Sequence, residues 1–129
     1  MGKWMTDHVT VIRYNKKLEE TDAKLQELAE RFDRVDINET VYWATQALPH
    51  ARQLYNMLSL ARATTLGALN RNESRGAHYK PDFPGRNDEQ FLSTTIATHT
   101  PEGPEFSYEP VDTSQIKPRA RKYDVDKKQ

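Results

Sequence analysis

The sequence predicts a mainly α-helical fold, in which three helices are followed by an ordered loop and a β-hairpin. Three observations support this prediction. Apolar residues recur at helical spacing in three successive stretches of residues 1–76. Two β-prone runs further along flank a segment rich in proline and glycine. The chain has 129 residues, which suffices for one core of ordinary size but not for two.

The composition excludes several classes of function. Lys plus Arg and Asp plus Glu both number 19, so the formal net charge is zero, which disfavours a strongly basic nucleic-acid binder. The absence of cysteine rules out disulfides, thiolate metal sites and cysteine nucleophiles. The mean hydropathy of -0.92 is polar for a self-contained domain, so we expect part of the chain to form a small core and the rest to be tail or surface that contacts something else. No apolar run approaches the roughly 20 residues that a membrane span needs.

The first two helices are predicted over residues 3–14 and about 17–34. Asn15 lies between them and offers a break or a cap. The first helix is predicted from three apolar residues at helical spacing, Met5, Val9 and Ile12. The second is amphipathic, with charged residues on its other faces and an apolar stripe that contains Leu18, Leu25, Leu28, Phe32 and Val35.

The third predicted helix is long, from about residue 38 to 74. Asp36 and Glu39 are spaced like a capping box at its start, and Gly76 is the expected terminator. Pro49 lies inside this stretch and predicts a kink or break near residues 45–48. The apolar residues cover more than one side, which predicts a central position or a second partner; they include Val41, Ala44, Leu48, Leu54, Tyr55, Leu58, Leu60, Ala61, Thr65, Ala68 and Leu69.

Residues 77–112 are predicted to form an ordered loop and a β-hairpin. Two prolines and a glycine in residues 79–85 favour a rigid loop, and residues 87–90 favour a helical turn. The β-prone runs 91–98 and 105–109 flank a turn at 100–104. Residues 113–129 carry six basic and two acidic side chains without periodicity, so we expect an extended or disordered basic tail. The predicted organisation is therefore a bundle over 1–76, an extension over 77–112 and a tail over 113–129.

The sequence shows no motif for a catalytic or metal site. It has no GxSxG, GxGxxG or GxxxxGK[ST] motif, which makes a serine hydrolase elbow or a phosphate-binding loop improbable. The histidines are not spaced as zinc ligands; they are His8, His50, His78 and His99. The polar segment 70–78 stands out, with Arg71 and Arg75 on one helical face. Helix capping with salt bridges and a polar recognition surface are both open readings of this segment.

Residues 71–84, RNESRGAHYKPDFP, together with 86–89 and 91–92, resemble the C-terminal domain of the succinate dehydrogenase/fumarate reductase flavoprotein subunit. The similarity extends to residues 5–13, 54–62 and 108–119 and so covers essentially the whole chain. The Tyr79-Lys80-Pro81 variant is most similar to bacterial, menaquinone-linked succinate dehydrogenases. Phe91, where tryptophan is common, and Thr95, where a His-Thr pair often stands, depart from the family pattern.

The resemblance implies an antiparallel three-helix bundle, similar to a spectrin repeat, with an extension that lies against an FAD domain. It implies that the chain is a fragment of a longer subunit, whose FAD-binding and catalytic residues lie outside it; no metal site is expected in the fragment. Its own residues would form a docking surface to the FAD domain, defined by Arg71, Glu73, Ser74, Arg75, His78, Tyr79, Asp82 and Phe83.

The resemblance also implies a cofactor, partners and a location for the parent enzyme, which oxidises succinate to fumarate. FAD is the parent's cofactor, and the fragment itself is expected to bind none and to be inactive. The partners are the FAD and capping domains of the same polypeptide, the iron–sulfur subunit and, indirectly, a membrane anchor subunit; no nucleic acid is expected. The parent complex is expected to be cytoplasmic and peripheral on the inner face of the bacterial cell membrane.

Two alternatives come from different classes of protein. The same domain could belong to a fumarate reductase or to an L-aspartate oxidase, which carries a similar Glu-Ser-Arg-Gly segment. A free-standing helical module could instead bind an acidic partner or nucleic acid through the basic residues of 113–129.

Overall fold

The computed structural model describes residues 1–37 and 46–119. It is mainly helical, with a two-stranded sheet at its C-terminal end. This arrangement confirms the predicted fold class. The elements in chain order are α1 (Gly2–His8), α2 (Asn15–Phe32), α3 (Ala47–Asn70), α4 (Asp88–Phe91), β1 (Ser93–Thr100) and β2 (Gly103–Pro110).

The core lies between α2 and α3, which run antiparallel. Leu25 packs with Leu58 and Ala61, whereas Leu18, earlier in α2, packs with Ala68, later in α3. Because the order of contacts is reversed between the two helices, their directions must be opposite. All five side chains are buried, and they come from the stripes that the sequence predicts.

The short helix α1 completes the three-helix bundle. Val9, which follows it, belongs to the cluster around Leu18, and Met5 packs against both core clusters. His8 Nδ1 lies 2.9 Å from the hydroxyl oxygen of Thr21 in α2. A helix of seven residues is too short to be stable alone, so α1 depends on these contacts.

The first helix is shorter than predicted, because the chain leaves it for a different backbone pairing. The amide of Arg13 donates to the carbonyl of Tyr79 at 2.9 Å, and the amide of Tyr79 donates to the carbonyl of Val11 at 3.1 Å. Ile12 therefore forms a bridge to the distant loop instead of a further helical turn. Asn15 is the first residue of α2 rather than a cap or break.

The third helix ends earlier than predicted, and as described it begins at Ala47, next to the break expected at residues 45–48. Pro49 lies in the first turn of α3, where its missing N–H is tolerated, so the expected break coincides with the helix start. The helix ends at Asn70, six residues before the predicted terminator Gly76. The predicted capping partner Glu39 and the stripe residues Val41 and Ala44 lie outside the described residues.

Gly76 instead forms a tight turn after the helix. Its φ is +60°, and the turn is closed by two backbone hydrogen bonds between Arg75 and His78, at 2.8 and 3.0 Å.

We expect Gly76→Ala to lower the free energy of unfolding by about 1–2 kcal/mol, because an L side chain is strained in this left-handed conformation. Chemical denaturation tests this. Gly85→Ala is the matched control, since a Cβ there meets no atom within 4 Å and its φ is not positive; equal losses for both variants would contradict the assignment.

The predicted β-hairpin is confirmed, and it packs on α3. Its register runs from Ser93 opposite Pro110 to Thr100 opposite Gly103. A Cβ added at Gly67 of α3 would lie 3.3 Å from the ring of Phe106 in β2, so a side chain there would require the ring to shift by a few tenths of an ångström. A lone hairpin is marginal in water, and α3 supplies the surface that it requires.

The part of α3 up to Leu60 is largely uncovered by the described residues. Its exposed apolar side chains are Leu48, Leu54, Tyr55, Met57 and Leu60. This agrees with the predicted distribution of apolar residues over more than one side of the helix. In the described ranges, no helix has the length and apolar character needed to cross a bilayer.

Candidate functional site

The predicted docking segment is organised around one buried carboxylate, that of Glu73, which is 0 % exposed. Its Oε1 accepts from Arg71 Nη1 at 2.6 Å and from Arg75 Nε at 2.8 Å. Its Oε2 accepts from Arg75 Nη2 and from the backbone amide of Asn87, both at 2.9 Å. Four donors thus converge on one side chain and join the segment after α3 to the start of α4.

The guanidinium of Arg71 extends this network to the hairpin. Nη1 also donates to the carbonyl of Phe91 at 2.9 Å, and Nη2 donates to the carbonyl of Ser93 at 2.7 Å and to the hydroxyl of Thr95 at 3.1 Å. The same guanidinium lies 5.5 Å from the ring centroid of Phe91. Arg71 therefore connects the end of α3 to both α4 and β1.

Asp88 carries the network out to the surface. Its Oδ1 accepts from Arg75 Nη2 at 2.6 Å and its Oδ2 accepts from Arg86 Nη2 at 2.7 Å. Cations and carboxylates thus alternate along this chain of contacts. Arg86 also donates to the carbonyl of Arg119 at 2.9 Å, which holds the start of the C-terminal tail.

The charge state of Glu73 follows from its partners. Burial on its own would raise the pKa of Glu73, but hydrogen bonds from Arg75, from the amide of Asn87 and from Arg71 outweigh burial and hold the pKa below its ordinary value. The carboxylate is therefore ionised at neutral pH. A buried carboxylate that two arginines and a backbone amide bind gives this loop a single arrangement.

Ser74 fixes the shape of the following loop. Its hydroxyl accepts from the amide of Lys80 at 2.9 Å and donates to the carbonyl of Phe83 at 2.7 Å. Its amide donates to the carbonyl of Gly85 at 3.0 Å. The proline-rich loop is thus ordered by contacts with one small polar residue, as well as by its prolines.

His78 lies between the helix end and the linker that follows α1. Its Nε2 donates to the carbonyl of Arg71 at 3.0 Å, and its Nδ1 accepts from Arg13 Nη1. Burial lowers the pKa of His78, the hydrogen bond to Arg71 opposes this, and the positive charge of Arg13 lowers it further. A neutral imidazole with the proton on Nε2 fits both contacts.

Lys80 is fully buried, although the sequence analysis did not select it. Its Nζ donates to the carbonyl of Leu69, in the last turn of α3, and to the side-chain oxygen of Asn72, both at 3.0 Å. It also lies 5.9 Å from the ring centroid of Phe83. An ammonium at this position binds a carbonyl that the helix leaves unpaired and complements the negative end of the helix dipole.

Lys80 should titrate at an unusual pH. Burial lowers its pKa from 10.5 to about 8, the charge of Arg13 adds to this, and Asp82 opposes it. Between these values the folded state binds fewer protons than the unfolded state, so Lys80 makes the free energy of unfolding rise as the pH rises from about 8 to 10.5. An NMR titration of the Lys80 side chain should show a midpoint near 8, and Lys80→Met should abolish both the signal and the rise. A midpoint near 10.5 would contradict the burial.

The eight predicted docking residues comprise three exposed residues, one buried residue and four partly exposed ones. Tyr79, Asp82 and Phe83 are exposed, with 42 % of Tyr79 and 37 % of Phe83 accessible. Glu73 is inaccessible and can only support the surface from beneath. The other four are partly exposed and link the two groups; they are Arg71, Ser74, Arg75 and His78.

The sequence analysis missed several residues of this site. Arg13, Lys80 and Asp88 belong to it, but they lie in other segments or carry no motif of their own. All three nevertheless lie in runs that contributed to the family resemblance, namely 5–13, 71–84 and 86–89, and this was the only signal for them. Within the described parts of the chain, no cluster of three or more acidic or histidine side chains could hold a metal ion.

Comparisons with known proteins agree with this architecture. The chain is 58% identical over 125 residues to the succinate dehydrogenase flavoprotein subunit of Bacillus subtilis strain 168, covering 95% of this chain and 21% of that protein. It is 38% identical over 128 residues to the fumarate reductase flavoprotein subunit of Helicobacter pylori strain J99, covering 95% of this chain and 18% of that protein. The chain thus spans about a fifth of the length of these curated relatives.

A solved structure of E. coli quinol fumarate reductase has the same fold in one of its chains. The TM-score is 0.87 at 30% sequence identity, and the match covers 92% of this chain and 21% of that chain. The family model described as fumarate reductase flavoprotein C-term matches residues 1–123. The chain therefore belongs to the family of C-terminal domains of succinate dehydrogenase and fumarate reductase flavoprotein subunits.

Proposed function

We propose that the chain is the C-terminal helical domain of an FAD-containing succinate dehydrogenase flavoprotein subunit, and that it acts there as a docking and structural domain. The 58% identity to the Bacillus subtilis succinate dehydrogenase subunit carries this proposal. The enzyme would oxidise succinate to fumarate and pass electrons to an iron–sulfur subunit and on to quinone. A membrane anchor subunit would hold the complex, peripherally, on the inner face of the bacterial cell membrane.

The docking role rests on a surface held by the chain's own ion pairs. Tyr79, Asp82 and Phe83 present two aromatic rings and a carboxylate on a loop that Ser74 orders. Buried Glu73 fixes the residues beneath. Such a preorganised surface loses little conformational entropy when it binds, and exposed aromatic residues are common at the energetic centre of interfaces. The FAD and capping domains of the same polypeptide are the proposed partners.

We expect FAD to be bound by other parts of the subunit rather than by the described residues. The groove between α3 and the hairpin is open to solvent and has a volume of about 360 Å³. This volume is too small for a dinucleotide. Arg71 and Arg75 have donors engaged by Glu73 and other partners, so these two arginines are poorly placed to bind a pyrophosphate. The cofactor would therefore be held by other parts of the subunit.

A chimera tests this proposal. The matched C-terminal fifth of the Bacillus subtilis subunit would be replaced by this chain, and FAD content and succinate oxidation would be measured. We expect the chimera to retain both, because 58% identity preserves most contacts at the interface. A chimera that is folded but lacks FAD and activity would contradict the docking role.

Two matched variants locate the surface within the chimera. Tyr79→Ala should reduce FAD retention and activity at least about fivefold, because truncating a tyrosine at an interface centre typically costs more than 1 kcal/mol. Tyr108→Ala removes an equally exposed tyrosine, 47 % accessible, from the hairpin and should have no effect. Equal effects would show that the surface lies elsewhere.

The fumarate reductase alternative is supported by the Helicobacter pylori relative and by the E. coli structure. It is tested with a second chimera in the Helicobacter pylori subunit. The succinate dehydrogenase assignment predicts better FAD retention in the Bacillus subtilis host than in the Helicobacter pylori host. The reverse order would favour a fumarate reductase.

A further inference from the structure

The groove between α3 and the hairpin has one basic end and otherwise mostly apolar walls. Arg13, Arg71 and His78 line the basic end. No acidic side chain is among the described residues that line the groove. Small and apolar side chains form most of the remaining wall, together with two threonines; these residues are Leu60, Ala63, Thr64, Gly67, Ala68, Thr95, Ala97 and Phe106.

The cations at the basic end differ in whether they have a carboxylate partner. Arg71 is paired with Glu73 at 2.6 Å, and all of its contacts lie within this chain. His78 is neutral in the hydrogen-bonding arrangement described above. Arg13 is half-buried but forms no ion pair with any carboxylate of the described residues. The net charge at this end of the groove is therefore positive.

Arg13 is held in place by two hydrogen bonds, but not all of its hydrogen-bond donors have partners among the described residues. Its Nε donates to the carbonyl of Val9 at 3.1 Å, and its Nη1 donates to His78. No hydrogen-bond partner for its Nη2 is found among the described residues. Burial lowers the pKa of Arg13, so the charged form is penalised in the chain as it stands. An anion at this position would offset that penalty and accept a hydrogen bond from the unpartnered Nη2.

We infer that this groove binds an acidic polypeptide segment, in which a glutamate carboxylate pairs with Arg13 and a neighbouring apolar side chain lies against Gly67 and Phe106. Charge complementarity selects the carboxylate, because Arg13 is a partly desolvated cation without an anionic partner. The groove is open and mostly apolar between a helix and the hairpin, so a segment with an apolar side chain gains more contacts there than a free acid would. This inference rests on the docking role proposed above and adds the chemistry of the partner to it.

The test uses this chain alone and two matched peptides. The probes are acetyl-glutamyl-leucine amide and acetyl-glutaminyl-leucine amide, with propionate as the free acid. NMR spectra are followed at the amide of Gly67, the ring of Phe106 and the Nε–H of Arg13. We expect saturable shifts with the glutamyl peptide, and binding at least about tenfold weaker for the glutaminyl peptide and for propionate.

Each other outcome overturns the inference. Equal affinity for the two peptides would show that charge is not recognised, and no shift at tens of millimolar peptide would show that nothing binds. Propionate binding as tightly as the glutamyl peptide would make the groove a site for a free acid instead. Because these comparisons use the unaltered chain, they do not depend on the chimeras, and failure in one experiment leaves the other interpretable.

Variants assign the effect to Arg13. Arg13→Gln should erase the difference between the two peptides, and Arg13→Lys should restore part of it. Arg86→Gln is the control, because Arg86 pairs with Asp88 and does not line the groove. A glutamyl preference that persists in Arg13→Gln would show that another cation is responsible.

Discussion

Replacing Glu73 with glutamine should lower the free energy of unfolding by about 3–5 kcal/mol, the usual cost of removing one partner from a buried ion pair. Glutamine has nearly the same size, but its amide group would face the donors of Arg75 or Asn87 instead of accepting from them. Arg71 and Arg75 would also lose the charge that compensates for their desolvation. The effect should be measured by urea denaturation at neutral pH.

Glu89→Gln is the matched control for this variant. Glu89 lies in the same short helix α4 as Asp88 but is exposed and has no ion pair among the described residues. Its replacement should change the free energy of unfolding by less than about 0.5 kcal/mol. A loss of similar size for both variants would contradict a specific role of the buried Glu73 ion pairs, because removing any nearby negative charge would then have the same effect.

The pH dependence of the free energy of unfolding should also depend on Glu73. Since the pKa of Glu73 in the folded state is below its ordinary value of 4.5, its contribution to stability is present above that pH and is lost as the pH falls through the lower, folded-state value. The Glu73→Gln variant should therefore lose less stability than the unaltered chain on acidification below pH 4.5. Parallel curves for the two proteins would contradict the assignment.

Leu58→Ala should lower the free energy of unfolding by about 2–5 kcal/mol. Leu58 is 4 % exposed and packs with Leu25 and Ala61 at the centre of the α2–α3 interface. Truncation removes buried methyl groups and leaves a cavity between two helices whose backbones are held by the surrounding contacts. Chemical denaturation gives the size of the loss.

Leu60→Ala makes the same chemical change two residues further along α3. Leu60 is 69 % exposed, so its truncation should cost less than about 0.5 kcal/mol in the isolated chain. The difference between the two variants isolates burial from helix propensity, since both replace leucine with alanine inside one helix. Equal losses would contradict the orientation of α3.

The periodic parts of the fold were predictable from sequence. The stripe of Leu18 and Leu25 predicts the buried face of α2, and Leu58 and Ala68 predict that of α3, because burial of one helix face leaves a period of 3.6 in the sequence. The hairpin was also predictable, because a turn with two prolines and a glycine lies between two β-prone runs. The ends of the helices were harder to predict from sequence. Gly76, for example, was predicted to end α3 but lies in a turn that follows the helix.

The buried polar residues could not be predicted from local patterns. Glu73 and Lys80 are both 0 % exposed, although charged residues at such positions usually lie in solvent. Their burial depends on Asn87, Leu69 and other partners that tertiary structure brings together. The family resemblance marked the segment as special, whereas only the structure shows which of its residues face inward.

The backbone pairing between the linker after α1 and Tyr79 has a consequence for the order of folding. The antiparallel helices α2 and α3 can associate through contacts inside one contiguous stretch, but the amides of Arg13 and Tyr79 find their acceptors only when both flanking segments are in place. Closing the long loop between Arg13 and Tyr79 costs chain entropy, and association of α2 with α3 shortens that loop, so we expect the pairing to form after the helical pair. Opening of either flank exposes both amides to solvent, and their hydrogen-exchange rates report directly on whether the two flanks are joined.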